Sequence, residues 1–187
     1  FYASVDSLKA SGKAEELEWE LTNQVKKALA AGIDVTHLDA HMGAAVSRTD
    51  FLAAYMRVGL AFELPVLLDQ RIFEISDPEV KNLINDNTVV MDNILSMGPQ
   101  DFEAGADGFY EKILKDLPAG LNCLLIHLAY EDQEMKAITA GHSYWAADWR
   151  QADFDFFMSE KCRALLEREN IILISWRELR DGISRNK

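Results

Sequence analysis

The apolar positions change their spacing several times along the chain, and each change marks an element. From Ala14 to Ala31 they recur at helical spacing, with Leu17, Leu21, Val25 and Ala28/Leu29 on one stripe and Gly32 in the C-cap region. Gly32-Ile33-Asp34-Val35 then opens a short buried strand that runs to Asp39. Ser47-Arg48-Thr49-Asp50 starts a second helix, with an acid in its first turn and Phe51, Tyr55, Val58 and Phe62 on one face. Pro65-Val66-Leu67-Leu68 reads as a buried strand. Asp77 caps a helix that Pro78 begins and that runs to about Asn87, carrying Val80 and Leu83/Ile84. Thr88-Val89-Val90-Met91 is the next apolar run. Phe1 to Lys13 shows no clear period and reads as a connecting segment.

The second half repeats the alternation. Ser96 to Asp101 is a loop containing Gly98 and Pro99, and Phe102 to Leu117 is a helix with Phe109, Ile113 and Leu114 inward. Pro118-Ala119-Gly120 breaks it. Leu121 to Ile126 is the most apolar strand and delivers His127 at its C-terminal end. Ala129 to Tyr144 is a polar loop with one turn of helix. A helix starting between Trp149 and Asp153 runs to about Arg168, Ile171-Ile172-Leu173-Ile174 is a last strand, and Trp176-Arg177-Glu178-Leu179 starts a closing helix. Strands alternating with helices predict an α/β fold with a mainly parallel sheet, open or closed into a barrel. Continuous apolar strands predict a sheet covered on both faces.

Composition narrows the partners. A chain of 187 residues can build one sizeable core, so residues 1–187 are expected to form a single α/β domain. The net charge of −12 argues against nucleic acid and against anionic membrane surfaces. It is compatible with a neutral or cationic small substrate. Cys123 and Cys162 are too few and too far apart for a disulfide framework or a zinc ribbon, and read as reduced core thiols of a cytoplasmic protein. The apolar runs fall far short of the ~20 residues that span a bilayer. The chain opens on Phe1 without Met, with no visible signal peptide, and reads as the C-terminal part of a longer protein.

The densest chemistry lies in Thr36-His37-Leu38-Asp39-Ala40-His41-Met42-Gly43. In an extended chain His37, Asp39 and His41 share one face. Positions four apart on a strand are roughly 13 Å apart, too far for one zinc ion with ligand bonds near ~2.1 Å. Either the strand ends near Asp39 and the chain curls back at Ala40 and Gly43, or only one of the two histidines is a ligand. His127 ends another strand, and in a parallel fold the C-terminal strand ends share one face, so distant residues can meet there. The competing reading makes His127 a strand cap and His37 a satisfied core histidine. His142 reads as a solvated surface residue.

Thr36-His37-Leu38-Asp39-Ala40-His41 resembles the T-H-L-D-S-H segment of the YdjC-like carbohydrate deacetylase family, which includes chitooligosaccharide deacetylases. Leu125-Ile126-His127-Leu128-Ala129-Tyr130 resembles that family's apolar strand ending in H-P-A-Y or H-P-A-F. Trp149-Arg150-Gln151-Ala152-Asp153 with Ser159 resembles its later R-x-x-E/D helix and following serine, and Ile171 to Leu179 its final strand and close. The resemblance runs from about Ala14 to the end of the chain. It implies an irregular (β/α) barrel with parallel strands, of which the N-terminal part is missing here. His41 matches the family's metal-binding histidine in this segment, His37 a residue not assigned to the metal, and His127 the histidine of the H-P motif. Arg150 and Asp153 match positions expected to line the pocket. The departures are Leu128 in place of proline, Met42 and Gly43 where some members continue with histidines, and the absence of the family's N-terminal A-D-D-x-G motif and earlier metal-binding histidine.

The resemblance implies a hydrolase that removes N-acetyl groups from amino sugars or oligosaccharides with a divalent ion, Mg2+ or Zn2+. His127, Asp39 and Arg150 are its expected catalytic residues and His41 its metal ligand. His127 would donate to the departing amine or stabilise the oxyanion, and Asp39 would orient an imidazole. Trp145, Trp149 and Tyr144 offer faces for a sugar, or apolar cover for the barrel rim. The expected partner is a small-molecule or oligosaccharide substrate, and a homodimer is compatible with it. Two rivals are another metal-dependent barrel hydrolase such as a phosphoesterase, weakened by the lack of a phosphate-cradling glycine loop, and a degenerate barrel that binds sugar or a protein partner without turnover.

Overall fold

Ser4 begins a helix that the hydropathy pattern does not announce. In a computed structural model of the chain, which describes residues 2–142 and 144–186, Ser4 and Ser7 form a reciprocal capping box at the head of α1 (Val5–Ser11). The helix buries none of its residues, so it leaves no apolar stripe to read, and the expected connector is partly helical. The chain divides into two compact units, Phe1–Met91 with Ile174–Lys187, and Asp92–Leu173.

In the first unit α2 (Ala14–Ala30) matches its predicted span and buries Val25, while Leu29 stays exposed. Gly32 follows in the left-handed region at φ +78°, where glycine carries no steric cost. α3 (Thr49–Ala61) is buried nearly all round, with Phe51, Tyr55 and Val58 at 1% exposure or less. α2 and α4 pack against it, and Arg57 on α3 pairs with Glu18 of α2 and Glu79 of α4. Gly59 lets α3 approach the segment that follows it. A Cβ there would lie 2.5 Å from Val66 Cγ1 and 2.9 Å from the Leu64 carbonyl oxygen.

α4 (Pro78–Leu83) starts as predicted, with the Asp77 carboxylate accepting from the Glu79 and Val80 amides. It stops short of Asn87 because Thr88 and Asn85 side chains take the Asn85 and Asn87 amides into a turn. The expected strands of this unit are extended and parallel, but each neighbour pair meets at one bridge, Leu38 with Val66 and Asp69 with Met91. Ile33 is 57% exposed, so the first of these strands is not buried along its length.

In the second unit β1 (Asn93–Ser96) pairs in parallel with β2 (Asn122–Leu125), Asn93 opposite Asn122 and Ser96 opposite Leu125. The expected helix over 102–117 is two helices, α5 (Pro99–Ala104) and α6 (Ala106–Lys115), split at Gly105 with φ +116°. α7 (Gln133–Ile138) occupies the polar loop. α8 (Ala147–Phe157) and α9 (Glu160–Arg168) replace the expected single helix, because Ser159 starts α9 by accepting the Cys162 amide. Tyr110, Leu114, Trp149, Phe156, Cys162 and Leu165 form the core of this unit.

α10 (Trp176–Leu179) closes the chain with a Ser175–Glu178 capping box. The run before it departs from expectation. Ile172, Leu173 and Ile174 are 88%, 77% and 50% exposed rather than buried, because the described residues supply no cover for them. The architecture is therefore mixed α/β, largely helical, with parallel pairing wherever strands meet. Among the described residues no helix is long and apolar enough to cross a membrane.

Candidate functional site

Extended backbone carries the H-x-D-x-H segment only as far as Ala40. At His41 the chain enters a 3-10 turn, and Met42 and Gly43 both take positive φ, 54° and 68°, with the Gly43 amide closing on the Ala40 carbonyl at 2.8 Å. The chain thus curls at Ala40 and Gly43, the first of the two alternatives the spacing left open. The strand alternation therefore ends before His41, which is exposed. His37 and Asp39 keep it, and both line a cavity of about 190 Å³ against Leu21, Gln24 and Ala28 of α2. Tyr55 of α3 closes the same cavity and donates its hydroxyl to the Leu38 carbonyl at 2.5 Å.

The His37 ring is spoken for. It stacks face to face on Trp176, centroids 4.3 Å apart and planes 1° from parallel, and its Nδ1 lies 2.9 Å from the Thr36 hydroxyl. Burial lowers its pKa below the ordinary 6.5, and the Asp39 charge only partly opposes this. The imidazole is thus held between the Trp176 ring and the Thr36 hydroxyl.

His127 lies two residues past the end of β2, close to where it is expected, and is exposed. Three alternate amides fix the chain beyond the strand to α8. The His127 amide donates to Asp153 Oδ2 at 2.8 Å, the Ala129 amide to the Arg150 carbonyl at 3.3 Å, and the Glu131 amide to Gln151 Oε1 at 2.8 Å. These anchors hold the segment although Leu128 stands where the resembled family carries proline. Asp153 is only 1% exposed, and its other oxygen accepts the Tyr110 hydroxyl at 2.5 Å. Burial, reinforced by the Asp153 carboxylate, pushes the Tyr110 hydroxyl far above its ordinary pKa of 10.0, so Tyr110 is a standing donor. Asp153 thus lies beneath the His127 backbone, as a support rather than as an exposed pocket wall.

Arg150 is half-buried one turn earlier on the same helix face. Its Nε donates to the Trp145 carbonyl at 2.9 Å. Trp145 has φ +52°, a region a bulky side chain seldom enters and one that costs of order 1 kcal/mol or more. Its ring centroid lies 6.2 Å from that of His127. The aromatic candidates separate here. Trp149 is buried and stacked on Phe102 at 4.6 Å, whereas Trp145 and Tyr144 are 40% and 46% exposed.

His37 and Asp39 are thus brought to one cavity in the first unit, and His127, Arg150 and Asp153 to one cluster in the second. His142 is exposed, as expected. Tyr110 escapes the sequence reading, although Ala106, Tyr110 and Leu114 recur every four residues and form the buried stripe of α6. Among the described residues no group of three His, Cys, Asp or Glu side chains converges to hold an ion. The residues present do not by themselves fit a metal centre.

Comparison with known proteins adds a family. The sequence profile described as YdjC-like protein matches residues 1–168. A carbohydrate deacetylase of Thermus thermophilus is 29% identical over 193 aligned residues, which cover 98% of this chain and 67% of that protein. A carbohydrate deacetylase of Thermoanaerobacter pseudethanolicus is 27% identical over 136, covering 69% and 48%. The chain thus spans about two thirds of the length of one curated relative and about half of the other. A crystal structure from Enterococcus faecalis, named for cellobiose-phosphate cleavage, shares the fold at a TM-score of 0.65 and 16% identity, over 89% of this chain and 61% of that one.

Proposed function

The chain belongs to the YdjC-like protein family, and from that premise we propose that the protein is a hydrolase that removes N-acetyl groups from amino sugars or their oligosaccharides. The observation that carries this reading is that both curated relatives are named carbohydrate deacetylase. The exposed His127 at the end of a parallel strand supports it, since α/β enzymes hold their reacting groups at that end. The parallel strand order is consistent with part of an irregular barrel, with residues 1–187 as one domain of it. Two cysteines in 187 residues suit a cytoplasmic setting.

In the reaction water adds to the acyl carbon, the C–N bond breaks, acetate leaves and the sugar nitrogen takes up a proton. His127 supplies that proton or hydrogen-bonds the oxyanion of the tetrahedral intermediate. Asp153 and Tyr110 keep its backbone in place. Arg150 holds the Trp145 backbone and adds positive charge beside the cluster. A divalent ion held by this family of residues would supply polarisation of an acyl oxygen and acidification of a water. His41 is its proposed ligand in this chain, with Asp39 close by in sequence to orient an imidazole. The described residues bring no complete donor set together.

The test is to incubate the protein with N-acetylated chitooligosaccharides and, separately, with phosphate esters, and to measure acetate, primary amine and phosphate. Acetate and amine in equal amounts are expected. Phosphate alone points to a phosphoesterase, and saccharide binding without acetate points to a binding protein. His127→Ala should lower turnover far more than metal content, and His41→Ala should lower metal content.

A further inference from the structure

We propose that Trp145 is the sugar-stacking residue that sets affinity for the saccharide beside His127. The inference rests on the carbohydrate reading above and adds to it the residue that holds the ring. Three observations carry it. The indole is 40% exposed and packs on the buried Trp149, centroids 5.7 Å apart and planes 39° from parallel, so it is a partly open ring on a fixed support. Its centroid is 6.2 Å from the His127 imidazole, close enough for a pyranose on the indole to bring its substituents to that ring. Its backbone is held at φ +52°, with its carbonyl accepting from Arg150 Nε.

The strained backbone is the informative part. Met42, Glu63 and Asn170 share this conformation: Glu63 and Asn170 follow helix ends, after α3 and α9, where a left-handed residue is routine, and Met42 sits in a 3-10 turn beside Gly43. Trp145 ends no helix. It precedes α8, and the half-buried Arg150 side chain of that helix is committed to its carbonyl. Strain of this kind persists where surrounding structure over-determines it, and it gathers at ligand sites. An indole presents a broad apolar face with few rotatable bonds, so little freedom is lost when the apolar C–H face of a sugar lies on it. The occupant is therefore an N-acetylated pyranose within an oligosaccharide.

The test compares Trp145→Phe, which keeps a π face, with Trp145→Leu, which keeps apolar bulk without one. Steady-state hydrolysis of N-acetylchitotriose is measured for each, alongside calorimetric titration with the same sugar. Trp145→Leu is expected to raise KM and the dissociation constant about tenfold with kcat changed far less, and Trp145→Phe to recover most of the loss. Unchanged KM and dissociation constant in Trp145→Leu overturn the stacking role and leave the deacetylase reading standing. A wild-type protein that releases no acetate sinks the deacetylase reading instead. The titration then decides the stacking role: weaker binding in Trp145→Leu upholds it, and equal or absent binding in both overturns it.

Discussion

Asp153, buried in α8, accepts the backbone amide of His127 at 2.8 Å, a contact that links positions 26 residues apart. A buried carboxylate under the main chain of an exposed histidine fixes where that ring starts from. The same carboxylate takes the Tyr110 hydroxyl, so one side chain joins β2, α6 and α8.

Removing that carboxylate leaves the buried Tyr110 hydroxyl and the part-buried His127 amide without an acceptor. Asp153→Ala is expected to destabilise the protein by about 2–4 kcal/mol, and Tyr110→Phe, which strips one donor from a surviving acceptor, by about 1–2 kcal/mol. Urea unfolding of the three proteins measures both. A change below about 0.5 kcal/mol in Asp153→Ala would show the anchor to be idle.

Gly59→Ala tests the closeness of α3 to the chain behind it. The added methyl meets the Leu64 carbonyl oxygen at 2.9 Å as well as Val66, and a main-chain oxygen cannot rotate away as a side chain can. The usual helical gain of alanine over glycine, roughly 1 kcal/mol, is expected to be reversed into a net loss of about 1–3 kcal/mol. Thermal melting gives the sign directly.

His37 makes stability depend on pH. Its folded pKa lies below 6.5 because burial disfavours the charged ring. Above 6.5 both folded and unfolded chains hold it neutral, and it contributes no pH dependence. As pH falls below 6.5 the unfolded chain binds the proton first, so stability drops until the folded pKa is passed. His37→Phe retains an aromatic face for Trp176 and cannot titrate. Lowering pH from about 7.5 to about 5 should therefore cost the wild type more melting temperature than the variant. Parallel curves would remove His37 as the cause.

Cys162 is 1% exposed, and burial pushes its thiol pKa up. Both effects suppress the thiolate that reacts with electrophiles. Intact-protein mass spectrometry after iodoacetamide treatment should find Cys162 unmodified in the native protein and alkylated once urea unfolds it.

The sequence makes legible those elements whose signal is local. The Leu17–Val25 stripe, the Asp77-Pro78 start and the apolar run leading to His127 each combine a period with a boundary residue, and each stands where it was expected. Two misreadings share a cause. The breaks at Gly105 and Ser159 are set by a left-handed glycine and a serine cap inside otherwise helical spacing, and spacing averages over such points. The run 171–174 shows the opposite failure, since apolar residues announce a demand for cover without saying what supplies it.

The candidate site was legible in its residue types and not in their roles. His127 stands out as a lone imidazole after an apolar strand. That Asp153 would sit under its backbone, and that Trp149 would be core while Trp145 is open, depends on which way α8 faces. Tyr110, Asp153 and His127 lie on three elements whose juxtaposition no spacing rule encodes. In the other unit the limit came from geometry, because strand alternation applies to His37 and Asp39 and lapses at the Met42–Gly43 turn.

Arg150 and Asp153 grip Trp145 and His127 from positions three apart on one rigid rod. Any tilt or slide of α8 must therefore carry the indole and the imidazole along as a pair. Their mutual spacing is insulated from movements that would spoil it if each hung from a separate loop, and insertions or substitutions that shift the helix bodily are expected to be tolerated better than those that twist one of its turns against the next.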